Sequence, residues 1–173
     1  IAYFRSPLKT KFGVPRQSGI ANSLNGYIVM EKEWNNSECL RGLEDFDYLW
    51  IIWGFSANVD APKHTTVRPP RLGGNRRMGV FATRSSFRPN NLGMSSVKIV
   101  SISTSPGKQI EIEVSGADLM DGTPIYDIKP YLPEFDAHPE ACGGFASSEK
   151  WTTLDVEIPD EISIKMGEAR NLI

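Results

Sequence analysis

Cysteine and histidine are scarce. Cys39 and Cys142 lie far apart in the chain and in no metal-ligand spacing, and with only His64 and His138 beside them no zinc site is expected. Two reduced thiols suit a cytoplasmic protein. Long apolar runs are missing too: no stretch approaches the roughly 18 consecutive apolar residues of a spanning helix, so no membrane partner is expected. The opening Ile1–Pro7 has no charged region followed by an apolar one and does not read as a secretory leader. A G-x-G-x-x-G after a strand, a Walker A loop, H-E-x-x-H and G-x-S-x-G are all absent, which leaves nucleotide hydrolysis and the standard hydrolases without support.

Acidic residues are missing from whole segments. Residues 1–30 contain none and carry Arg5, Lys9, Lys11 and Arg16; residues 61–110 contain none and carry nine Lys or Arg. All 21 acids fall in 31–60 and 111–173, so the formal net charge of −2 hides two basic blocks. If the fold brings them together, the result is a basic face suited to a polyanion.

The chain's 173 residues, 40% of them hydrophobic, suffice for a sizeable core in one domain with at most a small appendage. Tyr27–Met30 reads as a strand. Ser37 caps a short helix with Cys39, Leu40, Leu43 and Phe46 on one face. The run Tyr48–Phe55 reads as a strand buried on both faces or inside a closed sheet, with Trp50 and Trp53 in the core. Gly79–Thr83 looks like a short strand. Val97, Ile99 and Ile102 give an imperfect strand that a turn at 105–108 joins to the alternating Ile110, Ile112 and Val114. Trp151–Ile158 is a further strand, and Pro159–Ile173 a weak amphipathic helix. About six strands, short turns and little helix predict a mainly β protein, a small closed or nearly closed β-barrel with short helices, and no Rossmann fold.

Two stretches carry chemistry. Between Arg68 and Gly93 stand Arg68, Arg71, Arg76, Arg77, Arg84 and Arg88, with no acid and with prolines and glycines that hold the chain in loops. Guanidinium groups on braced loops lose little freedom on gripping an anion, so a phosphate- or carboxylate-binding surface is expected. Between Gly116 and Pro133, Asp118, Asp121 and Asp127 surround an Asp-Gly turn. Their carboxylates serve either the backbone donors of the turn or a ligand, a cation or ribose hydroxyls.

Lys11-Phe12-Gly13-Val14-Pro15-Arg16-Gln17, Val67-Arg68-Pro69-Pro70-Arg71-Leu72-Gly73-Gly74-Asn75, Gly79-Val80-Phe81-Ala82-Thr83-Arg84-Ser85, Phe87-Arg88-Pro89-Asn90, Asp118-Leu119, Asp121-Gly122-Thr123-Pro124 and Asp127-Ile128-Lys129-Pro130-Tyr131-Leu132-Pro133 together resemble the TsaA-like or TrmO family, in order and over nearly the whole chain. The resemblance implies a small β-barrel that methylates N6 of threonylcarbamoyladenosine, next to the anticodon of tRNA, from S-adenosyl-L-methionine, as a homodimer and without a metal. It implies a methyltransferase domain over residues 1–158 and the start of a helical C-terminal extension over 159–173. By similarity the cofactor lies among Pro15, Arg16 and Gln17, Phe55 and Ser56, Arg84, Leu92, Gly93 and Met94, and Asp118, Leu119, Asp121, Gly122 and Thr123. Arg68, Arg71, Arg76, Arg77 and Arg88 would then meet the anticodon loop. Asp127 or Tyr126 is the candidate to take the proton from the methylated nitrogen.

Departures from the family's usual pattern are Asn91 where proline is common, expected to loosen the turn, Ser86 in place of proline, and Ser56 near a position where histidine is common. The alternatives from other classes are a non-catalytic RNA-binding barrel and a methyltransferase with a different acceptor.

Overall fold

The computed structural model describes residues 1–105, 107–148 and 157–166. Its strands are β1 (Ala2–Arg5), β2 (Asn25–Met30), β3 (Tyr48–Gly54), β4 (Thr66–Val67), β5 (Met78–Gly79), β6 (Leu92–Ser103), β7 (Glu111–Ser115) and β8 (Pro124–Pro130). Six of them close into a barrel in the order β1-β2-β7-β6-β3-β8, every pair antiparallel, while β4 and β5 form a separate two-stranded ribbon. Three short helices follow the barrel, Pro133–Asp136, Phe145–Ser148 and Asp160–Met166.

Alternation along the strands fills the interior. Phe4, Ile28, Leu49, Ile51, Ile112 and Ile125 are each at most 2% exposed and point inward, which leaves the barrel a packed core rather than a pore. Ligand chemistry therefore has to take place outside the barrel wall.

The mainly β barrel expected from the sequence is observed, but its strands are partly different ones. Strands β1 and β8 were not legible as strands. The first is four residues long, and the second has a proline at each end and charged residues within, a pattern that reads as a polar turn. Pro124 opens β8, where a ladder tolerates it. The strand expected at Gly79–Thr83 is only the end of β5, and Val80–Ala82 forms a 3-10 turn. Both the backbone N–H and Oγ1 of Thr83 donate to the Val80 carbonyl, which pulls the chain out of the extended form. The helix expected after Ser37 is two 3-10 turns, Ser37–Leu40 and Leu43–Asp45, broken at Gly42 (φ +85°). Asn36, not Ser37, caps the first, and Cys39 is exposed.

Trp50 is not in the core. It lies half-buried on the outer face of β3, where its Nε1 donates to Asp136 Oδ2 at 2.8 Å and its ring sits 5.6 Å from that of Tyr131. The 131–136 segment thus covers the outer face, which is why β3 reads as apolar throughout. Trp53 is in the core, 7% exposed. The uneven spacing of Ile99 and Ile102 has a cause in register: Ile99 pairs with Val114 and Ser101 with Glu113, so Val100 is a bulge. A second irregularity pairs Ile52 with Asp127 but Trp53 with Ile125, leaving Tyr126 extra.

Residues 151–156 of the strand expected at Trp151–Ile158, and 167–173 of the helix expected at Pro159–Ile173, lie outside the described residues; Asp160–Met166 is helical. No helix among the described residues is long and apolar enough to cross a membrane.

Candidate active site

A cavity of about 1080 Å³ lies on the outside of the barrel, where β3 ends and β6 begins. Loops from four distant parts of the chain wall it: 11–17, 55–58, 81–90 and the turn around Asp118–Thr123. Its floor is Trp53. The indole lies flat across Gly93, where a Cβ would come within 2.4 Å of the ring, so glycine is required there for the floor to form. Phe55 meets Trp53 edge-on at 4.4 Å.

Charge in the cavity is one-sided. Lys11, Arg16, Arg84 and Arg88 line it, and Asp118 is the single carboxylate among its described lining residues. Arg84 Nη1 donates to Gln17 Oε1 at 2.6 Å, and Gln17 Nε2 donates to the Arg16 carbonyl at 2.5 Å. Arg88 faces inward and braces its own loop, with Nη1 donating to the carbonyls of Thr83 and Ser85 at 2.9 and 3.3 Å. Asn58 ties the opposite wall to this loop through Ser86 Oγ at 2.6 Å.

Asp118 is held from below. Trp53 Nε1 donates to Ser95 Oγ at 3.0 Å, and Ser95 Oγ donates to Asp118 Oδ1 at 2.5 Å. Burial pushes the Asp118 carboxyl above the usual range; the Ser95 hydrogen bond, backbone donors at Asp118 and Ser18, and the Arg84 charge oppose this without overcoming it.

Asn91 closes the 88–91 turn. Its N–H donates to the Arg88 carbonyl at 3.2 Å, its own carbonyl accepts from Phe55 N–H at 2.8 Å, and its φ is +51°. The turn is therefore pinned at both ends rather than loosened. A proline could neither donate that hydrogen bond nor reach that φ.

Of the residues expected around a cofactor, Pro15, Arg16, Gln17, Phe55, Ser56, Arg84, Leu92, Gly93, Met94, Asp118 and Thr123 line the cavity. Leu119 is 1% exposed in the core. Asp121 faces away: its carboxylate accepts from Lys9 Nζ at 2.7 Å and from Ser6 N–H at 2.9 Å, interactions that hold it below the usual range. Gly122 has φ +74° and donates to the Phe4 carbonyl at 2.7 Å. Asp118, Asp121 and Asp127 thus do not form one carboxylate site, and no group of three His, Cys, Asp or Glu among the described residues is placed to hold a metal.

Asp127 and Tyr126 stand on β8, beside the cavity wall rather than in it. Asp127 is the cross-strand partner of Ile52, a lining residue, and the Tyr126 hydroxyl lies against Gly54, another. Asp127 also accepts from the Ile128 N–H and lies 3.8 Å from Lys129 Nζ. Arg88 lines the cavity, whereas Arg68, Arg71, Arg76 and Arg77 lie on and around the β4–β5 ribbon; Arg77 Nη1 donates to Thr66 Oγ1 at 2.9 Å, and Arg68 and Arg76 are exposed.

Sequence reasoning missed Ser95, and it placed Trp53 in the core without its cavity-facing side. It also missed three phenylalanines that line the mouth, Phe12, Phe81 and Phe87, exposed by 81%, 79% and 42%. The signal available was their position next to basic residues in Lys11-Phe12 and Phe87-Arg88.

Residues 3–137 match the family described as the tRNA-methyltransferase O N-terminal domain. A tRNA (adenine(37)-N6)-methyltransferase of Escherichia coli (strain K12) is 44% identical over 162 residues, covering 94% of this chain and 68% of that protein. A Pseudomonas aeruginosa protein, RcsF, provisionally named as an S-adenosylmethionine-dependent methyltransferase, is 41% identical over 86% of this chain and 60% of its own length. A crystal structure of TrmO from Pseudomonas aeruginosa superposes with a TM-score of 0.69 at 33% identity, covering 87% of this chain and 62% of that one. The chain thus spans between three fifths and just over two thirds of these relatives. With a family match over residues 3–137 and a fold that superposes on that of TrmO, it belongs to the TrmO family.

Proposed function

We propose that this chain methylates N6 of adenine 37 of tRNA, next to the anticodon, with S-adenosyl-L-methionine as the methyl donor. One observation carries the reading: Arg84 with Gln17, the Trp53–Phe55 pair and Asp118 converge on a single cavity beside a loop rich in exposed arginine. The residues present fit that cofactor. Arg84 and Arg16 suit its carboxylate, the aromatic floor suits its cationic sulfonium and apolar stem, and Asp118 suits the ribose hydroxyls. At about 1080 Å³ the cavity slightly exceeds the roughly 300–1,000 Å³ typical of small-ligand clefts, which leaves space for a nucleobase beside the cofactor. When bound, the cofactor supplies the methyl group.

The chain's own part is alignment. Gly93 lets the floor form, the pinned Asn91 turn and the Arg84–Gln17 pair fix the walls, and holding donor and acceptor in line is worth up to roughly 7–11 kcal/mol in favourable cases. The exocyclic nitrogen loses its proton as it gains the methyl group, and Asp127 or Tyr126, both beside the wall, are the acceptors we assign to it. Arg68, Arg71, Arg76, Arg77 and Arg88 take the phosphates of the anticodon loop, or the carboxylate of a threonylcarbamoyl group on the target base. The exposed faces of Phe12, Phe81 and Phe87 offer stacking surfaces to its unpaired bases.

We assign residues 1–158 to the methyltransferase domain and 159–173 to the start of a C-terminal extension, supported by the helix at Asp160–Met166. A cytoplasmic homodimer fits the two exposed free cysteines and the exposed apolar side chain of Val100 on the barrel's outer face, which does not line the cavity.

Calorimetric titration with S-adenosylmethionine, with ATP as control, followed by methyl transfer to tRNA with and without prior threonylcarbamoylation, tests the reading. Saturable binding of S-adenosylmethionine alone and methylation at adenine 37 are expected. Binding of tRNA without any binding of the cofactor by folded protein would overturn it in favour of a non-catalytic RNA-binding barrel.

A further inference from the structure

Ser95 lies on β6 beneath the cavity and is 2% exposed. A hydroxyl has one proton, and here its direction is fixed. The indole Nε1–H of Trp53 can only donate, so at 3.0 Å it takes an acceptor lone pair of Ser95 Oγ; the Ser95 proton is then left for Asp118 Oδ1 at 2.5 Å. Trp53 cannot turn away, because its ring is seated on Gly93 and against Phe55. A core aromatic therefore aims a hydroxyl, and the hydroxyl aims the one carboxylate among the described lining residues of the cavity. Neither Trp53 nor Ser95 stands in the stretches that mark the family resemblance.

We propose that Ser95 is a positioning residue for the cofactor site: oriented by Trp53, its hydroxyl holds the Asp118 carboxylate where it accepts hydrogen bonds from the ribose hydroxyls of S-adenosylmethionine. The inference rests on the cofactor reading above. Only a carboxylate that accepts can do this, so protonation of Asp118 weakens binding.

The sign of the pH effect follows. Asp118 titrates above the usual carboxylate range because it is buried, and the Ser95 hydrogen bond pulls it back down. Arg84 is the charged group whose field reaches it, in the same downward sense, and Lys11, Arg16 and Arg88 line the same cavity. Binding is lost as pH falls through the Asp118 pKa. Removing the Ser95 hydroxyl raises that pKa further and moves the loss to higher pH.

The test is calorimetric titration with S-adenosylmethionine from pH 5.5 to 8.5 on the wild type, Ser95→Ala, Ser95→Thr and Asp118→Asn. In Ser95→Ala we expect affinity to fall by about tenfold or more on the acid side of the profile, the scale of one charge-assisted hydrogen bond, and to recover towards the wild type as pH rises. Ser95→Thr keeps the wild-type profile, and Asp118→Asn loses the acid limb. S-adenosylhomocysteine keeps the ribose and lacks the sulfonium charge, so it gives the same acid limb. A loss in Ser95→Ala that is equal at all pH values would overturn the inference and leave a structural role, as would an unchanged profile. If the wild type binds no S-adenosylmethionine at any pH, the cofactor reading fails instead. The orientation of Asp118 by Ser95 is then decided without ligand by carbon-13 NMR titration of the Asp118 carboxyl: an equal pKa in wild type and Ser95→Ala rejects it.

Discussion

Arg84 Nη1 and Gln17 Oε1 meet at 2.6 Å although 67 residues separate them in the chain. The hydrogen bond joins the N-terminal basic loop to the arginine-rich segment and leaves the rest of the Arg84 fork for an anion. Arg84→Ala is expected to weaken S-adenosylmethionine binding by about tenfold or more while sparing most tRNA binding. Arg84→Lys should rescue little, since an ammonium cannot serve Gln17 and a carboxylate with the same planar geometry. Arg76→Ala with Arg77→Ala should do the reverse, keeping cofactor affinity and lowering the salt dependence of tRNA binding, by a slope of about 0.7 for each phosphate no longer neutralised. Calorimetry with each ligand separates the two patterns. Equal losses in both would argue for one shared site.

Phe12 and Phe81 are each exposed by about four fifths, and alanine at either position removes little packing from the fold. The melting temperature should stay nearly constant, with stability within about 0.5 kcal/mol. If the rings stack on bases of the anticodon loop, each substitution weakens tRNA binding by roughly 1–3 kcal/mol and raises KM for tRNA, with cofactor affinity unchanged. Unaltered tRNA affinity in the double variant would remove the stacking role.

Asn91, the sole non-glycine residue with positive φ among the described residues, makes a backbone prediction. Asn91→Gly should fold and bind as the wild type. Asn91→Val retains the N–H of the turn but must hold a β-branched side chain at φ +51°, at a cost of about 1–2 kcal/mol. Urea unfolding measures the difference. Equal stability of the two variants would mean that the turn relaxes to another conformation.

The barrel was legible where alternation is strong and turns are short, as in β7 with Ile112 and Val114 inward and Glu111 and Glu113 outward. It was illegible where a strand's surroundings had to be known. β8 looks like a polar turn until β1 and β3 close on it, and β3 looks buried on both faces only because the 131–136 segment covers one of them. The cavity followed the same division. Its basic loops are continuous in sequence and stood out as blocks without acid, whereas the Trp53–Ser95–Asp118 chain joins three elements through hydrogen bonds that no local pattern encodes. A serine within a strand carries no signal of its own; its role comes from what lies across the sheet.

The ring order of the six strands also governs how two copies can meet. Because β1 pairs with both β2 and β8, each barrel strand has a neighbour on either side, and among the described residues no strand of the ring is left as an edge along its whole length for a strand from another molecule. The homodimer proposed above would then be held mainly through side chains and loops. Such an interface can be abolished by exchanging a few surface residues while every barrel strand keeps its pairing.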